Sequence, residues 1–87
     1  MGQKEFEDAL ERVKRLPDQP PKVLLELYGL YKQATAGDVS GKRPGMLDMK
    51  GRAKYDAWAT RTGMSNDQAM DEYVSLVDRL LAEHAGS

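Results

Sequence analysis

The sequence has no cysteine and only one histidine, His84. The lack of cysteine excludes disulfides, thiolate nucleophiles and cysteine-based zinc sites. His84 is close to the C-terminal end, and the sequence shows no arrangement of serine, histidine and acid recognisable as a catalytic triad. The glycines at 37, 41 and 45 are spaced by four and match neither a dinucleotide-binding fingerprint nor a Walker motif. We therefore expect a protein that is not an enzyme, with no catalytic residue, no cofactor and no metal ion.

Long apolar runs are missing as well. No stretch approaches the roughly 18 apolar residues that cross a bilayer. The first residues lack the apolar run of a secretory signal, and position 6 is Phe6 rather than the Ser or Thr of a myristoylation signal. The sequence therefore predicts a cytoplasmic protein without a membrane span.

Charge is balanced overall but unevenly distributed. The 87 residues carry a formal net charge of −1, which differs from the basic character of nucleic-acid-binding domains. Residues 32–54 contain six basic and two acidic residues, whereas residues 65–87 contain five acidic residues and one basic residue. The middle of the chain is therefore a candidate anion site. The length suits a single domain over 1–87, for which a monomer is the simplest expectation.

Periodicity and punctuation predict four helices and no strand, with ranges of about 3–16, 21–36, 50–62 and 65–84. Prolines end the first helix, and Pro21 suits the first turn of the second. Gly63 is expected to end the third helix, and Ser65 to begin the fourth in a capping box with Gln68. The connection between the second and third helices is long for a bundle, which indicates a crossover or a functional loop.

The predicted second helix has more apolar surface than one packing stripe requires. One stripe contains Val23, Leu27, Leu30 and Ala34, and a second, rotated by one residue, contains Leu24, Tyr28, Tyr31 and Thr35. Tyrosines at this spacing are usually core or boundary residues with hydrated hydroxyls. The alternative hypothesis is that the rings stack on a planar base while Lys32, one turn beyond Tyr28, meets phosphate.

The predicted third helix adds a second pair of cations. Lys50 and Lys54 are four residues apart and therefore share one face. Two lysines on a helix face are most often simply hydrated. Because two separate helices offer lysine beside tyrosine, a phosphate site becomes more plausible than either helix alone would suggest.

Three linked motifs resemble those of the acyl-coenzyme A binding protein family. They are YGLYKQATAGD at 28–38, RPGMLD at 43–48 and KGRAKYDAW at 50–58, in the family's order. Residues of the first and fourth helices also match the family, namely Phe6, Ala9, Val13, Leu16, Ala69 and Tyr73. The similarity covers nearly the whole chain.

The resemblance implies an all-α four-helix bundle in up-down-down-up order, with a long overhand crossover between helices 2 and 3. It also implies non-catalytic binding and intracellular transport or buffering of medium- to long-chain acyl-coenzyme A, which is a ligand rather than a cofactor. By residue matching, it assigns acyl-coenzyme A binding to Tyr28, Tyr31, Lys32, Lys50, Lys54, Tyr73 and Lys14. Among these, Tyr28, Tyr31 and Lys32 match positions that hold the adenosine 3′-phosphate, and Lys54 matches a second phosphate ligand.

The chain departs from the family pattern in one spacing and at a few positions, among them Arg52, which replaces a usual Lys and keeps the charge. The spacing between Lys14 and Tyr28 is one residue shorter than is common in the family. Tyr55 stands where the family often has Trp, and Met49 stands where it often has Phe, so the acyl-chain preference is expected to differ if these residues touch the chain.

Two other functions are compatible with the same residues. A helical protein-interaction module would use the Tyr/Lys face to dock a partner. An acyl-coenzyme A hydrolase is a third reading, against which the lack of cysteine and the presence of a single histidine argue.

Overall fold

The computed structural model describes residues 2–85, with the side chain of Ala85 left aside; residues 1, 86 and 87 of the predicted 1–87 domain lie outside it. Within this range the chain forms four α-helices: α1 (Gln3–Arg12), α2 (Pro21–Ala36), α3 (Met49–Ala59) and α4 (Asn66–Ala85). The all-α four-helix bundle is therefore confirmed, and no strand is found in the described part of the chain.

The ends of α1 and α3 differ from the expected ranges. The α-helical part of α1 stops at Arg12 and continues as a 3₁₀ turn over Val13–Arg15, because Leu16 precedes a proline and adopts an extended conformation. α3 likewise ends as an α-helix at Ala59. Tighter turns follow, in which the Arg61 and Thr62 amides bond three residues back, until Gly63 leaves the helical region with φ of 92°.

Local capping chemistry accounts for the starts of α2, α3 and α4. Pro21 occupies the first turn of α2, where a missing N–H costs nothing. The Asp48 carboxylate accepts the Gly51 amide at 3.0 Å at the start of α3. Ser65 Oγ accepts the Gln68 amide at 3.0 Å, as predicted, but the Gln68 side chain donates to Glu72 instead of completing the capping box.

The helix directions follow from contacts between elements. Asn66, at the start of α4, donates to the carbonyls of Gln33 and Ala34 near the end of α2, so these two helices are antiparallel. Phe6 of α1 meets Tyr73 of α4, and Arg12 pairs with Asp78 further along α4, which makes α1 parallel to α4. α3 runs in the same sense as α2, because Lys54 meets Tyr28 and, one turn further along both helices, Trp58 meets Lys32. This is the expected up-down-down-up arrangement, and residues 37–48 form the crossover.

The core lies between α1, α2 and α4. Its buried members are Phe6, Ala9, Leu27, Leu30, Ala34, Ala69, Tyr73, Leu76, Val77 and Leu80. α4 packs on both α1 and α2, whereas α3 packs on α2 alone. The α2–α3 junction is thus outside the main core: Trp58 is buried there, Tyr28 and Lys32 are half-buried, and Lys54 is exposed.

Candidate functional site

The α2–α3 junction is unusually close at Gly29. A Cβ atom added there would lie 2.6 Å from the carbonyl oxygen of Ala57, which is well inside van der Waals contact. Only glycine therefore permits the two helix backbones to approach this far. The close approach brings side chains on either side of Gly29 within reach of α3.

Two lysines cross the junction and lie over aromatic rings. Lys54 of α3 places its Nζ 5.5 Å from the ring centre of Tyr28, and Lys32 of α2 places its Nζ 4.8 Å from the ring centre of Trp58. These are cation–π distances. Neither lysine makes an ion pair within residues 2–85, so its ammonium donors remain available to an anion.

An aromatic cluster continues this surface towards α1 and α4. Tyr31 is 40% exposed and stacks on Phe6, with 6.3 Å between ring centres. Phe6 in turn meets Tyr73 edge to face at 5.2 Å. Tyr73 is only 4% exposed, and this burial, with a smaller contribution from Tyr31, raises the pKa of its hydroxyl. Tyr31 therefore presents a ring to solvent, and Tyr73 supports it from behind.

The last two residues of the predicted set lie at the margins. Lys50 is exposed on the first turn of α3, four residues before Lys54. Lys14 is exposed on the 3₁₀ turn, where it pairs with Glu11 at 3.2 Å. The structure thus groups Tyr28, Tyr31, Lys32, Lys54 and Tyr73 around the α2 face, while no contact joins Lys14 to that group.

Two residues that contact members of the predicted set were not themselves predicted. Phe6 links the two tyrosines, and Trp58 lies beneath Lys32. The sequence offered a signal for Trp58, since it follows Lys54 by four residues and therefore shares its helix face. Nothing in the helix 1 pattern distinguishes Phe6 from an ordinary core residue.

Side-chain contacts beyond the Asp48 cap also tie the crossover to α3. Arg43 and Asp56 form a two-point ion pair with distances of 2.8 and 2.6 Å. Tyr55 donates to the Gly41 carbonyl at 3.0 Å, and Trp58 Nε1 donates to the Gly37 carbonyl at 2.7 Å. The last of these contacts fixes the indole ring on which Lys32 lies.

A second network holds the crossover where it leaves α2. The Asp38 carboxylate accepts hydrogen bonds from the Gly63 amide at 2.9 Å and from Gln33 Nε2 at 2.8 Å. These bonds, chiefly the one from Gly63, hold the pKa of Asp38 below its usual 3.8. Gln33 is fully buried and also donates to the Met64 carbonyl at 2.8 Å. The network fastens the end of α2 to the α3–α4 turn.

The leucines Leu24 and Leu25, adjacent in sequence, line different depressions. Leu25 faces a depression of about 390 Å³ between α2 and α3, together with Ala57. Leu24, 53% exposed, borders a depression of about 470 Å³ that also involves Lys14. An apolar ligand chain that lay along α2 would have Leu25 on the side facing α3 and Leu24 on the side facing the 3₁₀ turn.

Within residues 2–85 no group of three or more histidines and carboxylates is placed to hold a metal ion. No helix in the same range is long and apolar enough to cross a membrane. The arrangement of two crossing lysines, the exposed Tyr31 ring and apolar depressions is suited to binding a ligand with an anionic aromatic end and an apolar end.

Comparisons with known proteins agree with this chemistry. A family model described as acyl CoA binding protein matches residues 3–77. An acyl-CoA-binding protein of Brassica napus is 53% identical, with 100% of this chain and 97% of that protein covered. A Saccharomyces cerevisiae acyl-CoA-binding protein is 46% identical, covering 92% and 93%. The crystal structure of Oryza sativa acyl-CoA-binding protein 2 superposes with a TM-score of 0.94 at 46% identity, covering 97% of this chain and 94% of that one.

Proposed function

Because the chain belongs to the acyl-CoA-binding protein family, we propose that it binds medium- to long-chain acyl-coenzyme A and carries or buffers it inside the cell. The family and its named relatives are binding proteins rather than enzymes. Acyl-coenzyme A is therefore the ligand in this proposal and is not turned over.

The observation that carries the proposal is the pair of crossed lysines at the α2–α3 junction. Lys32 and Lys54 each lie over a ring donated by the opposite helix, and neither has an ion-pair partner within residues 2–85. Two ammonium groups beside aromatic faces suit a nucleotide, whose phosphates are anionic and whose base is planar. A purely hydrated lysine face would not require rings beneath the ammonium groups.

The proposed roles follow the positions of the side chains. The phosphates of the ligand meet Lys32 and Lys54, with Lys50 as a neighbouring cation. Tyr28 and Tyr31 contact the adenosine end, and Tyr73 positions Tyr31 through Phe6. Lys14 contributes only if the ligand extends to the depression beside Leu24.

The acyl chain is expected to set much of the affinity. Each buried methylene contributes about 0.8 kcal/mol, so ten of them contribute roughly 8 kcal/mol before ordering costs. The depression lined by Leu25 and Ala57 offers apolar surface between α2 and α3, and Ala53 lies one turn before Ala57 on α3. Free coenzyme A should consequently bind much more weakly than its long-chain thioester.

Isothermal titration calorimetry with palmitoyl-coenzyme A, octanoyl-coenzyme A, free coenzyme A and palmitate tests the proposal. We expect one-to-one binding that strengthens with chain length and requires the nucleotide. Equal affinities for palmitoyl-coenzyme A and free coenzyme A would contradict the role of the acyl chain. Binding to none of the four would contradict the proposed function as a whole.

The cellular part of the proposal is that the chain acts as a single-domain cytoplasmic monomer without a cofactor. Sedimentation with saturating palmitoyl-coenzyme A tests the oligomeric state. Prolonged incubation with the same thioester, followed by assay of free thiol, tests the carrier reading, since release of coenzyme A at a rate above the uncatalysed one would indicate a hydrolase.

A further inference from the structure

The end of the crossover and the first residue of α3 carry the most exposed large apolar side chains in the described part of the chain. Met46, Leu47 and Met49 are 81%, 102% and 78% exposed. The three lie within four consecutive positions, so they form one projecting patch. Apolar side chains clustered in this way usually mark a surface that is covered by something else. The acyl-chain depressions described above are lined by other residues.

The patch is held in place by its surroundings. The Asp48 amide donates to the Gly45 carbonyl at 3.0 Å, closing a turn around Met46 and Leu47. Asp48 also caps α3, and the Arg43–Asp56 ion pair fixes the segment that leads into the turn. Because these bonds involve only backbone and neighbouring polar groups, they do not require the apolar side chains to be buried.

The charge around the patch is positive, even though Arg43 is paired with Asp56. Residues 42–54 contain five basic residues and one acidic residue, Asp48. That carboxylate is already engaged in capping α3. Lys42 and Lys50 flank the patch, are exposed, and make no ion pair within residues 2–85. An apolar tip between unpaired cations is complementary to a surface that is anionic outside and apolar inside.

We propose that Met46, Leu47 and Met49, flanked by Lys42 and Lys50, dock the protein on anionic lipid bilayers. The cations meet the anionic headgroups, and the apolar side chains enter the boundary between headgroups and acyl chains. A folded protein partner would need an acidic rim around an apolar pocket, whereas a bilayer offers both properties over its whole surface. The proposal does not depend on acyl-coenzyme A binding.

Vesicle co-sedimentation of the ligand-free protein tests this docking. We expect binding to phosphatidylcholine vesicles that contain phosphatidylserine, loss of that binding at high salt, and little binding to phosphatidylcholine alone. The double variant Met46→Ser/Leu47→Ser should bind at least about tenfold more weakly, because it removes two side chains from the apolar boundary. Lys42→Gln should also weaken binding.

Matched variants separate docking from other effects. Leu24→Ser removes an exposed leucine on α2, and Lys4→Gln removes an exposed lysine on α1; both should retain vesicle binding. Helical circular dichroism should be unchanged in the double variant, since both replaced side chains are exposed.

Several results would overturn the proposal. They are equal binding to neutral and anionic vesicles, no binding to either, or undiminished binding by the double variant. A concentration-dependent dimer that the double variant abolishes would assign the patch to a second copy of the chain instead. Calorimetry of the double variant with palmitoyl-coenzyme A, in which we expect unchanged affinity, keeps this test distinct from that of the proposed function.

Discussion

Replacing Gly29 by alanine should destabilise the protein, although alanine is the better helix former. In an ordinary helix interior this substitution contributes about 1 kcal/mol of stability. Here the new Cβ would lie 2.6 Å from the Ala57 oxygen and 3.0 Å from its carbonyl carbon. Both atoms belong to the α3 backbone, so no side-chain rotation relieves the contact and α3 itself must move.

The expected loss follows from these opposing effects. Overpacking costs about 1–3 kcal/mol, and contact with backbone places this site at the upper end. After subtracting the helix-propensity gain of about 1 kcal/mol, the free energy of unfolding should fall by about 1–2 kcal/mol. For a domain of this size, that corresponds to a decrease in Tm of about 4–16 °C.

Thermal melts followed by circular dichroism measure this change. Gly45→Ala is the matched control, because a Cβ at that position has no neighbour within 4 Å, and its Tm should stay unchanged. A displaced α3 should also weaken binding of palmitoyl-coenzyme A, since Lys54 and Tyr28 lie on opposite sides of the junction. A Tm for Gly29→Ala equal to or above that of the parent protein would refute the close approach of α2 and α3.

Further predictions concern the binding site and the crossover. Lys32→Ala and Tyr28→Phe should weaken palmitoyl-coenzyme A binding in calorimetry without changing Tm; unchanged affinity with an unchanged fold would remove these residues from the site. Because Trp58 is the sole tryptophan and lies 4.8 Å from Lys32 Nζ, ligand phosphate that draws this ammonium away should change tryptophan emission, and a titration without any emission change would contradict that movement. The pKa of Asp38 is depressed in the folded state, so its stabilising effect is complete above the usual value of 3.8 and is lost as pH falls through the lower folded value. Asp38→Asn should therefore reduce the difference in Tm between neutral and strongly acidic solution, and an undiminished difference would show that Asp38 does not contribute to it.

The helices were predictable where short-range chemistry is sufficient to define them. Pro21 starts α2 because its fixed φ and missing N–H fit the first turn, and Ser65 caps α4 through its own hydroxyl. These effects act within four residues and need no tertiary partner. The end of α1 was harder to locate, since the 3₁₀ turn over Val13–Arg15 and an α-helical turn have the same apolar pattern.

The candidate site could be predicted only as a set of residue types on two helices. Periodicity places Tyr28, Tyr31 and Lys32 on one face of α2, and family resemblance nominates them as ligand contacts. Periodicity does not identify the neighbour of that face, because a helix pattern reports direction around an axis and not the position of another helix. It therefore left open whether the tyrosines were core or site residues.

The packing of the helices resolved the arrangement in space. The backbone contact at Gly29 brings α3 against α2, so that Lys54 reaches Tyr28. Two residues with similar sequence patterns also took different environments: Tyr73 is buried behind Phe6, whereas Tyr31 keeps an exposed face. The linear pattern specifies which residues form each helix and which face is apolar. Distances across helices, and the burial of individual rings, depend on non-local contacts that exist only after the helices have packed.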